Sequence, residues 1–261
     1  MSFTFLAGQH IWERVDVALV VGTRFTAPGL AWGRQQDVDI IRIDIEEGAI
    51  RRPVLSDIEL VTSADKGLQA IVDSIPANGV DRSSYLEFCN QVAQAVAENL
   101  STLKPLPALA GALRAALPED GTVVADVTQL GSYVRYALPA YQPRTIMGPG
   151  FQATLGYALP AALGAKLADP TRPIVAVCGD GGFMFTLQEL ATAVQHNISV
   201  VIVILDNASF GNVKTIQAAS YGARHIAVDL TNPDFVALGE SFGILSLIHI
   251  SEPTRRTPIS Y

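Results

Sequence analysis

The sequence predicts an α/β fold in which parallel sheets are flanked by helices. Hydrophobic residues make up 49% of the chain and charged residues only 16%, so most helices and strands must be buried against one another. Short, continuous apolar runs alternate with segments of helical spacing. Because the strands of a parallel sheet are buried on both faces, this alternation is the pattern expected of such a fold.

The first 78 residues are predicted to be part of an α/β domain. Apolar runs at residues 15–21, 39–45 and 58–61 predict three strands, and residues 64–75 have helical spacing. Roughly 75 residues is small for a self-sufficient domain of this type. We therefore expect the beginning of this domain to be missing from the chain.

A linker and a helix are predicted next. Pro76-Ala77-Asn78-Gly79 is a turn cluster, residues 85–100 have the spacing of an amphipathic helix, and the prolines of Lys104-Pro105-Leu106-Pro107 end that helix. The predicted division of the chain is a partial central domain (residues 1–78), a linker and helix (79–107), a second α/β domain (108–244) and an atypical tail (245–261).

The second α/β domain contains the clearest strand–helix–strand unit. Thr186-Leu187-Gln188-Glu189 precedes the helix of that unit and has the pattern of a capping box, in which the threonine and glutamate side chains bond free backbone donors. The predicted strands of this domain are residues 122–126, 174–178 and 200–205, and its predicted helices are residues 109–117, 132–138, 157–168 and 187–195.

The tail does not continue this pattern. Residues 251–258 show no hydrophobic periodicity and cannot continue a packed sheet. Two explanations stay open: a flexible tail, or a natural sequence that stops near Ile244 and is followed by read-through of foreign DNA. We favour the second explanation, because the break falls in the middle of a domain.

Charge and cysteine usage exclude several classes of partner. The formal net charge is −7 and no basic stripe offsets it, which argues against a nucleic acid. Cys89 and Cys178 form no CxxC pair, so the cysteines predict neither a disulfide framework nor a zinc site, and they favour the reducing cytoplasm. No apolar run approaches the roughly 20 residues of a membrane span, and we expect no membrane partner.

Polar residues follow two neighbouring strands of the predicted strand–helix–strand unit. Gly179-Asp180-Gly181-Gly182 comes directly after the first strand, and Asp206-Asn207 comes after the second. Because such a unit is right-handed, both strands point the same way, and both clusters lie at the carboxyl edge where open α/β sheets bind ligands. We therefore expect Asp180 and Asn207 to come together in space.

The side chains of Asp180 and Asn207 suit a hard divalent cation. Mg²⁺ prefers oxygen ligands and shares phosphate oxygens readily. Gly181 and Gly182 lack a Cβ, so their backbone can approach a phosphate closely and present N–H groups to it. Each motif alone is most often an ordinary turn, but their placement on consecutive strand ends is far more selective. The sequence therefore predicts a site for Mg²⁺ and a phosphate group.

The spacing of these residues resembles the cofactor-binding signature of the thiamine-diphosphate enzymes. In that signature a Gly-Asp-Gly triplet is followed by an asparagine, here Asn207, 27 residues after Asp180. The resemblance extends over residues 13–244 and is closest to the group of acetolactate synthase and benzoylformate decarboxylase. The segments that carry it are Val20-Val21-Gly22-Thr23-Arg24-Phe25 and Ile41-Arg42-Ile43-Asp44-Ile45 in the central domain, and residues 156–165 in the helix that precedes the cofactor.

This resemblance implies a set of binding residues. Mg²⁺ would be held by Asp180, Asn207 and the backbone carbonyl of Ser209. Leu155 would take the place of the bulky apolar residue that supports the bent cofactor, although ordinary core packing explains a leucine there as well. The other residues implied to contact the cofactor are Gln129, Gly179, Gly181, Gly182 and Gly211.

The resemblance also implies an activity that this chain does not perform alone. In the family, the thiazolium carbon of the bent cofactor loses a proton and attacks a 2-keto acid. The glutamate that starts this proton relay lies in an N-terminal domain absent from the chain, so no catalytic residue is assigned and Glu189 is interpreted as a helix cap. The family's active site lies between subunits, which implies a homodimer or homotetramer for the parent protein.

Two departures from the acetolactate synthase pattern limit the prediction of a substrate. Leu130 stands where those enzymes often have a histidine, and Asn212 stands where they commonly have an apolar residue. Asn212 would either bond a substrate carboxylate or carbonyl, or face solvent. FAD, which binds the central domain of some relatives, stays undecided. Two other functions stay open: a nucleotide-dependent oxidoreductase, and a non-catalytic module that keeps the cofactor pocket.

Overall fold

A computed structural model describes residues 5–32, 38–76, 81–249 and 259–260. The chain divides into two compact units, Met1–Asn99 and Leu100–Tyr261. This division falls inside the segment predicted as linker and helix, and the other domain bounds stay predictions. Most of the predicted turn after Pro76 lies outside the described residues, as does most of the tail. Among the described helices, none is long and apolar enough to cross a lipid bilayer.

The first unit contains a three-stranded parallel sheet in the order β1-β2-β3. On one face of the first two strands, Ala18, Val20 and Ile40 pack with Trp12 and Phe25. On the other face of β2, Ile43 is buried against Gly67 of the helix that follows β3. The three predicted strands and the helix after them are confirmed. The elements are α1 (Phe5–Trp12), β1 (Val17–Val21), a π-helix (Ala27–Trp32), β2 (Asp39–Asp44), β3 (Ile58–Val61), α2 (Ala64–Ser74) and α3 (Ser83–Ser101), which spans the division.

The second unit is built on a four-stranded parallel sheet in the order β5-β4-β6-β7. The strands are β4 (Thr122–Ala125), β5 (Ile146–Met147), β6 (Ile174–Gly179) and β7 (Val201–Leu205). The helices are α4 (Leu106–Ala116), α5 (Gln129–Ala137), α6 (Ala158–Ala168), α7 (Asp180–Phe183), α8 (Glu189–Gln195), α9 (Gly211–Ser220) and α10 (Phe235–Ser241). Two short strands, β8 (Ile248–His249) and β9 (Ile259–Ser260), pair antiparallel near the end of the chain.

The central strands of the second unit are buried on both faces. Val124 and Ala176 belong to a core cluster that includes Leu159 of α6 and Leu190 of α8. Val177 points to the opposite face of β6 and is also fully buried, on the side of the sheet that α5 contacts. The predicted α/β fold with parallel sheets flanked by helices is therefore confirmed.

The predicted capping box is wrong. α8 begins at Glu189, and successive turns precede it, in which the Glu189 N–H donates to the backbone carbonyl of Thr186 at 2.9 Å. The Thr186 hydroxyl instead donates to the carbonyl of Gly156 at 3.1 Å, and the Glu189 carboxylate accepts a bond from Thr192 at 2.9 Å. Because a turn already occupies the donors that a capping box would satisfy, Thr186 is free to bond a distant segment.

Candidate functional site

A cavity of about 240 Å³ lies at the carboxyl ends of β6 and β7. The parallel register places Gly179 opposite Leu205, so the segments that follow both strands begin at the same edge of the sheet. Asp180 and Asn207 both line this cavity, as their placement on consecutive strand ends predicted. The structure brings all of the predicted binding residues to its walls: Gln129, Leu155, Gly179, Asp180, Gly181, Gly182, Asn207, Ser209 and Gly211. Their contacts with a cofactor or metal stay predictions.

Asp180 is the buried charged group of this site. It is the first residue of α7, and its side chain is only 3% exposed. Its Oδ2 accepts bonds from the Ser209 N–H at 3.2 Å and from Asn232 Nδ2 at 2.8 Å. Its Oδ1 accepts no hydrogen bond from the described residues, so this oxygen is available to a ligand in the cavity.

The loop after β7 is held by hydrogen bonds within the loop and by one from the segment around Leu230. Asp206 Oδ1 accepts the Ala208 N–H at 3.0 Å, which supports the left-handed conformation of Ala208 at φ 50. Leu230 donates its N–H to the Ala208 carbonyl at 2.8 Å, and Asn207 Oδ1 accepts the hydroxyl of Ser209 at 3.0 Å. The oxygens predicted to bind a metal are therefore presented by an ordered loop.

The predicted metal ligands form a set of oxygen donors. They are one carboxylate oxygen of Asp180, the carboxamide oxygen of Asn207 and the backbone carbonyl of Ser209. That carbonyl accepts the Gly211 N–H at 2.9 Å, which leaves its second lone pair available. Among the described residues, no group of three or more His, Cys, Asp or Glu side chains is placed to hold a metal. This donor set therefore fits a hard cation that completes its shell with phosphate or water oxygens.

Contacts inside the protein explain the glycines of the Gly-Asp-Gly-Gly segment. A Cβ at Gly181 would lie 2.5 Å from Cε1 of Phe210, and a Cβ at Gly182 would lie 2.9 Å from Oδ2 of Asp126. A side chain at either position would force the Phe210 ring or the Asp126 carboxylate to shift, whether or not a phosphate binds. The sequence did not predict these contacts, and the predicted approach to a phosphate stays a prediction.

Leu155 lies on the cavity wall and is only partly buried. The next residue, Gly156, has φ +75, a conformation that side chains rarely adopt. Its N–H donates to Asp126 Oδ2 at 3.0 Å, and its carbonyl accepts the hydroxyl of Thr186 at 3.1 Å. Hydrogen bonds of the peptide groups on both sides of the Gly156 Cα therefore set the position of Leu155.

Asp126 is a site residue that the sequence did not identify. It directly follows β4, is 1% exposed, and also accepts the Val127 N–H at 2.8 Å. Burial raises the pKa of this carboxyl, and hydrogen bonds from backbone N–H groups, including those of Val127 and Gly156, oppose that shift. A carboxylate directly after the uncharged strand Thr122–Ala125 is the signal that could have revealed it.

Asn232 is the second residue that sequence analysis missed. Its Nδ2 donates to Asp180 Oδ2 at 2.8 Å and to Asp206 Oδ1 at 2.7 Å. It lies 52 residues after Asp180 in the sequence and follows no strand. No local pattern therefore connects it to the site.

The two residues that depart from the acetolactate synthase pattern lie in different places. Leu130 is 1% exposed and lines a separate apolar groove beside α4. Asn212 lines the 240 Å³ cavity and is partly buried. Only Asn212 is therefore placed where it could contact a ligand.

Comparison with known proteins identifies the same part of the chain. Residues 126–257 match a family model described as the C-terminal TPP binding domain of thiamine pyrophosphate enzymes. Similar proteins include the probable 2-ketoarginine decarboxylase AruI of Pseudomonas aeruginosa, which is 34% identical over 242 residues covering 89% of this chain and 42% of that protein. The acetolactate synthase isozyme 3 large subunit of Escherichia coli is 32% identical over 254 residues, covering 92% of this chain and 44% of that protein.

A third relative has a similar sequence identity to this chain and matches a similar share of it. The probable acetolactate synthase large subunit of Methanocaldococcus jannaschii is 31% identical over 251 residues, which cover 91% of this chain and 42% of that protein. The chain therefore spans less than half the length of these curated relatives.

Proposed function

This chain belongs to the thiamine pyrophosphate enzyme family, and we propose that it carries the diphosphate- and magnesium-binding part of a 2-keto acid decarboxylase or carboligase. The observation that carries this proposal is the arrangement of Asp180, Asn207 and Ser209 around one cavity at the ends of β6 and β7. Because the chain spans less than half of its relatives, we propose that it is a fragment and inactive alone.

The proposed roles follow from the chemistry of each group. Asp180, Asn207 and the Ser209 carbonyl hold Mg²⁺, which neutralises the charge of the diphosphate. Gln129 and the N–H groups of the Gly179–Gly182 segment contact the diphosphate oxygens. Leu155 supports the rest of the cofactor from the opposite wall. When bound, thiamine diphosphate supplies the nucleophilic carbon and the electron sink for the reaction.

The substrate class is proposed from the relatives and from the cavity. One relative is named as a probable 2-ketoarginine decarboxylase, and others are named as acetolactate synthases. Asn212, on the cavity wall, offers a carboxamide to a substrate carboxylate or carbonyl. We propose a 2-keto acid as substrate, a homodimer or homotetramer for the whole protein, and a cytoplasmic location, in keeping with free thiols at Cys89 and Cys178. FAD is not part of this proposal.

Calorimetric titration of thiamine diphosphate into the chain tests the binding site. We expect binding in the presence of Mg²⁺ and its loss when a chelator is added. Asp180→Ala should weaken the magnesium-dependent affinity at least about 10-fold, since even outer partners of metal ligands contribute that much. Asp120→Ala, at an exposed position of the same unit, is the matched control and should bind as the unaltered chain does.

Three results would contradict the proposal. NAD(P)H binding that does not depend on Mg²⁺ would favour the oxidoreductase alternative. Unchanged affinity in the Asp180→Ala variant would remove the proposed metal site. If the folded chain binds no cofactor, a separately expressed pyrimidine-binding domain is added, and continued absence of binding sinks the proposal. Binding without turnover in the presence of that domain would instead identify a non-catalytic module.

A further inference from the structure

We propose that Asn232 is a positioning residue that makes Asp180 present a single oxygen atom to its cation, and that it thereby favours Mg²⁺ over Ca²⁺. The inference rests on the proposed function, since it concerns the same metal site. It assigns a role to a side chain that no motif connects with that site.

The hydrogen bonds of Asp180 are unequally divided between its two oxygens. Oδ2 accepts the Ser209 N–H at 3.2 Å and Asn232 Nδ2 at 2.8 Å. A carboxylate oxygen has about two lone-pair sites, so these two donors occupy Oδ2 fully. Oδ1 accepts no hydrogen bond from any residue that the structure describes. The carboxylate is therefore held in an orientation that leaves one oxygen for a cation.

Asn232 also controls a second carboxylate. The same Nδ2 donates to Asp206 Oδ1 at 2.7 Å, and this oxygen accepts the Ala208 N–H as well at 3.0 Å. One amide group thus lies between two negative charges at the ends of neighbouring strands. Its two hydrogens bridge the carboxylates and keep the Asp206 oxygen directed toward protein donors.

The number of oxygens that a carboxylate offers affects which cation it prefers. Mg²⁺ is small, requires nearly ideal octahedral geometry and binds through one or two carboxylates together with phosphates and water. Ca²⁺ accepts more oxygens and readily takes both oxygens of one carboxylate. Removing Asn232 would release Oδ2 of Asp180 from one of its two donors. The site would then lose orientation for Mg²⁺ and gain the option of two-oxygen binding for Ca²⁺.

The test is titration of MgCl₂ and, separately, of CaCl₂ into the chain with saturating thiamine diphosphate. Asn232→Ala should weaken Mg²⁺ affinity about 10- to 100-fold, the range for partners that orient metal ligands. Ca²⁺ affinity should fall less, so the ratio of Ca²⁺ to Mg²⁺ affinity rises. Asn90→Ala, at an exposed position of α3, is the control and should leave both affinities unchanged.

The two titrations distinguish failure of the proposed function from failure of the role proposed for Asn232. If the unaltered chain binds neither cation, with or without the separately expressed pyrimidine-binding domain, the proposed function fails and this inference fails with it. If the unaltered chain binds Mg²⁺ and Asn232→Ala keeps the same ratio, the inference alone is overturned, including the case in which both affinities fall equally. Thermal unfolding checks that the variant is folded. Should it not fold, Asn232→Ser is tested with the same expectation, because a single, shorter hydroxyl cannot donate to both carboxylates.

Discussion

The two parallel sheets of the molecule are made from similar apolar strands but are buried to different extents. In β1, Ala18 and Val20 are buried, whereas Val17 and Leu19 on the other face are 50% and 45% exposed. In β4 and β6 both faces are buried, because helices cover the sheet from both sides. Hydropathy alone does not distinguish these strands. The covering helices and the position of a strand in its sheet decide how much of it is buried, since Val201 of β7, at the edge of the second sheet, is 59% exposed.

The two units also differ in the groups that their buried charged side chains contact near the strand ends. In the first unit, the buried guanidinium of Arg42 donates to the backbone carbonyl of Thr23 at 2.9 Å and to that of Arg52. These bonds tie the segment after β1 to a neighbouring loop with a cation of the protein itself. In the second unit, two carboxyl groups are buried at strand ends, Asp126 and Asp180, and Asp180 lines a cavity. A strand end becomes a ligand site when its polar groups are not all used within the protein.

The largest expected effect is the loss of stability when a buried isoleucine of the second sheet is replaced, compared with an exposed isoleucine of the first sheet. Ile174→Ala in β6 should lower the free energy of unfolding by about 2–5 kcal/mol, because Ile174 is 3% exposed. Ile58→Ala in β3 should cost less than about 1 kcal/mol, since Ile58 is 52% exposed. Both tryptophans, Trp12 and Trp32, lie in the first unit, so their fluorescence reports its unfolding in urea. Far-UV circular dichroism reports both units, so a transition in that signal that the fluorescence does not show is assigned to the second unit. Equal costs would contradict the difference in burial.

A smaller effect concerns a buried carboxyl in the second unit. Asp126→Asn should cost about 1–3 kcal/mol, because an amide cannot accept bonds at both positions. Burial raises the pKa of Asp126 above its ordinary value, so the stability that the carboxyl contributes is full at low pH and falls as the pH rises through the raised pKa. The cost of the substitution should therefore shrink toward neutral pH in urea unfolding experiments.

Asp65, a carboxyl group in the first unit, should show the opposite pH dependence of stability. A hydrogen bond from the Ser63 side chain is the main cause of a lowered pKa at Asp65. The stability that this group contributes is present above its ordinary pKa and is lost as the pH falls through the lowered value. The effect of Asp65→Asn should therefore grow as the pH rises. The same sign of slope for both variants would show that the two environments are alike.

The smallest expected effect compares two hydroxyl bonds of equal length. Thr186→Val removes the 3.1 Å bond to the Gly156 carbonyl, and Ser56→Ala removes a 3.1 Å bond to the Ile50 carbonyl in the first unit. Each substitution should cost about 1 kcal/mol of stability. Only Thr186→Val should also weaken cofactor binding, because Gly156 positions Leu155. If both variants bind thiamine diphosphate normally, the Thr186 bond has no role in the site.

Much of the fold was predictable because its signals are local. The strand at residues 174–178 and the helix at residues 157–168 are found within one residue of their predicted bounds. The meeting of Asp180 and Asn207 at one cavity was predictable as well, since the handedness of a strand–helix–strand unit places both strand ends on one edge. The capping box failed because its pattern spans only four residues, and a turn in the backbone used the same donors.

The sequence by itself determined the α/β class, most of the strands and longer helices up to β7, and the pair of polar strand ends, but not β5, α9 or α10. These follow from periodicity and chain handedness, which depend on neighbouring residues. Only the tertiary structure decided that Asn232 bonds two carboxylates, that Asp126 anchors Gly156, and that Phe210 requires glycine at position 181. The hydrogen bonds among these contacts join residues 26 to 52 positions apart, and packing of the folded chain sets them rather than any local pattern.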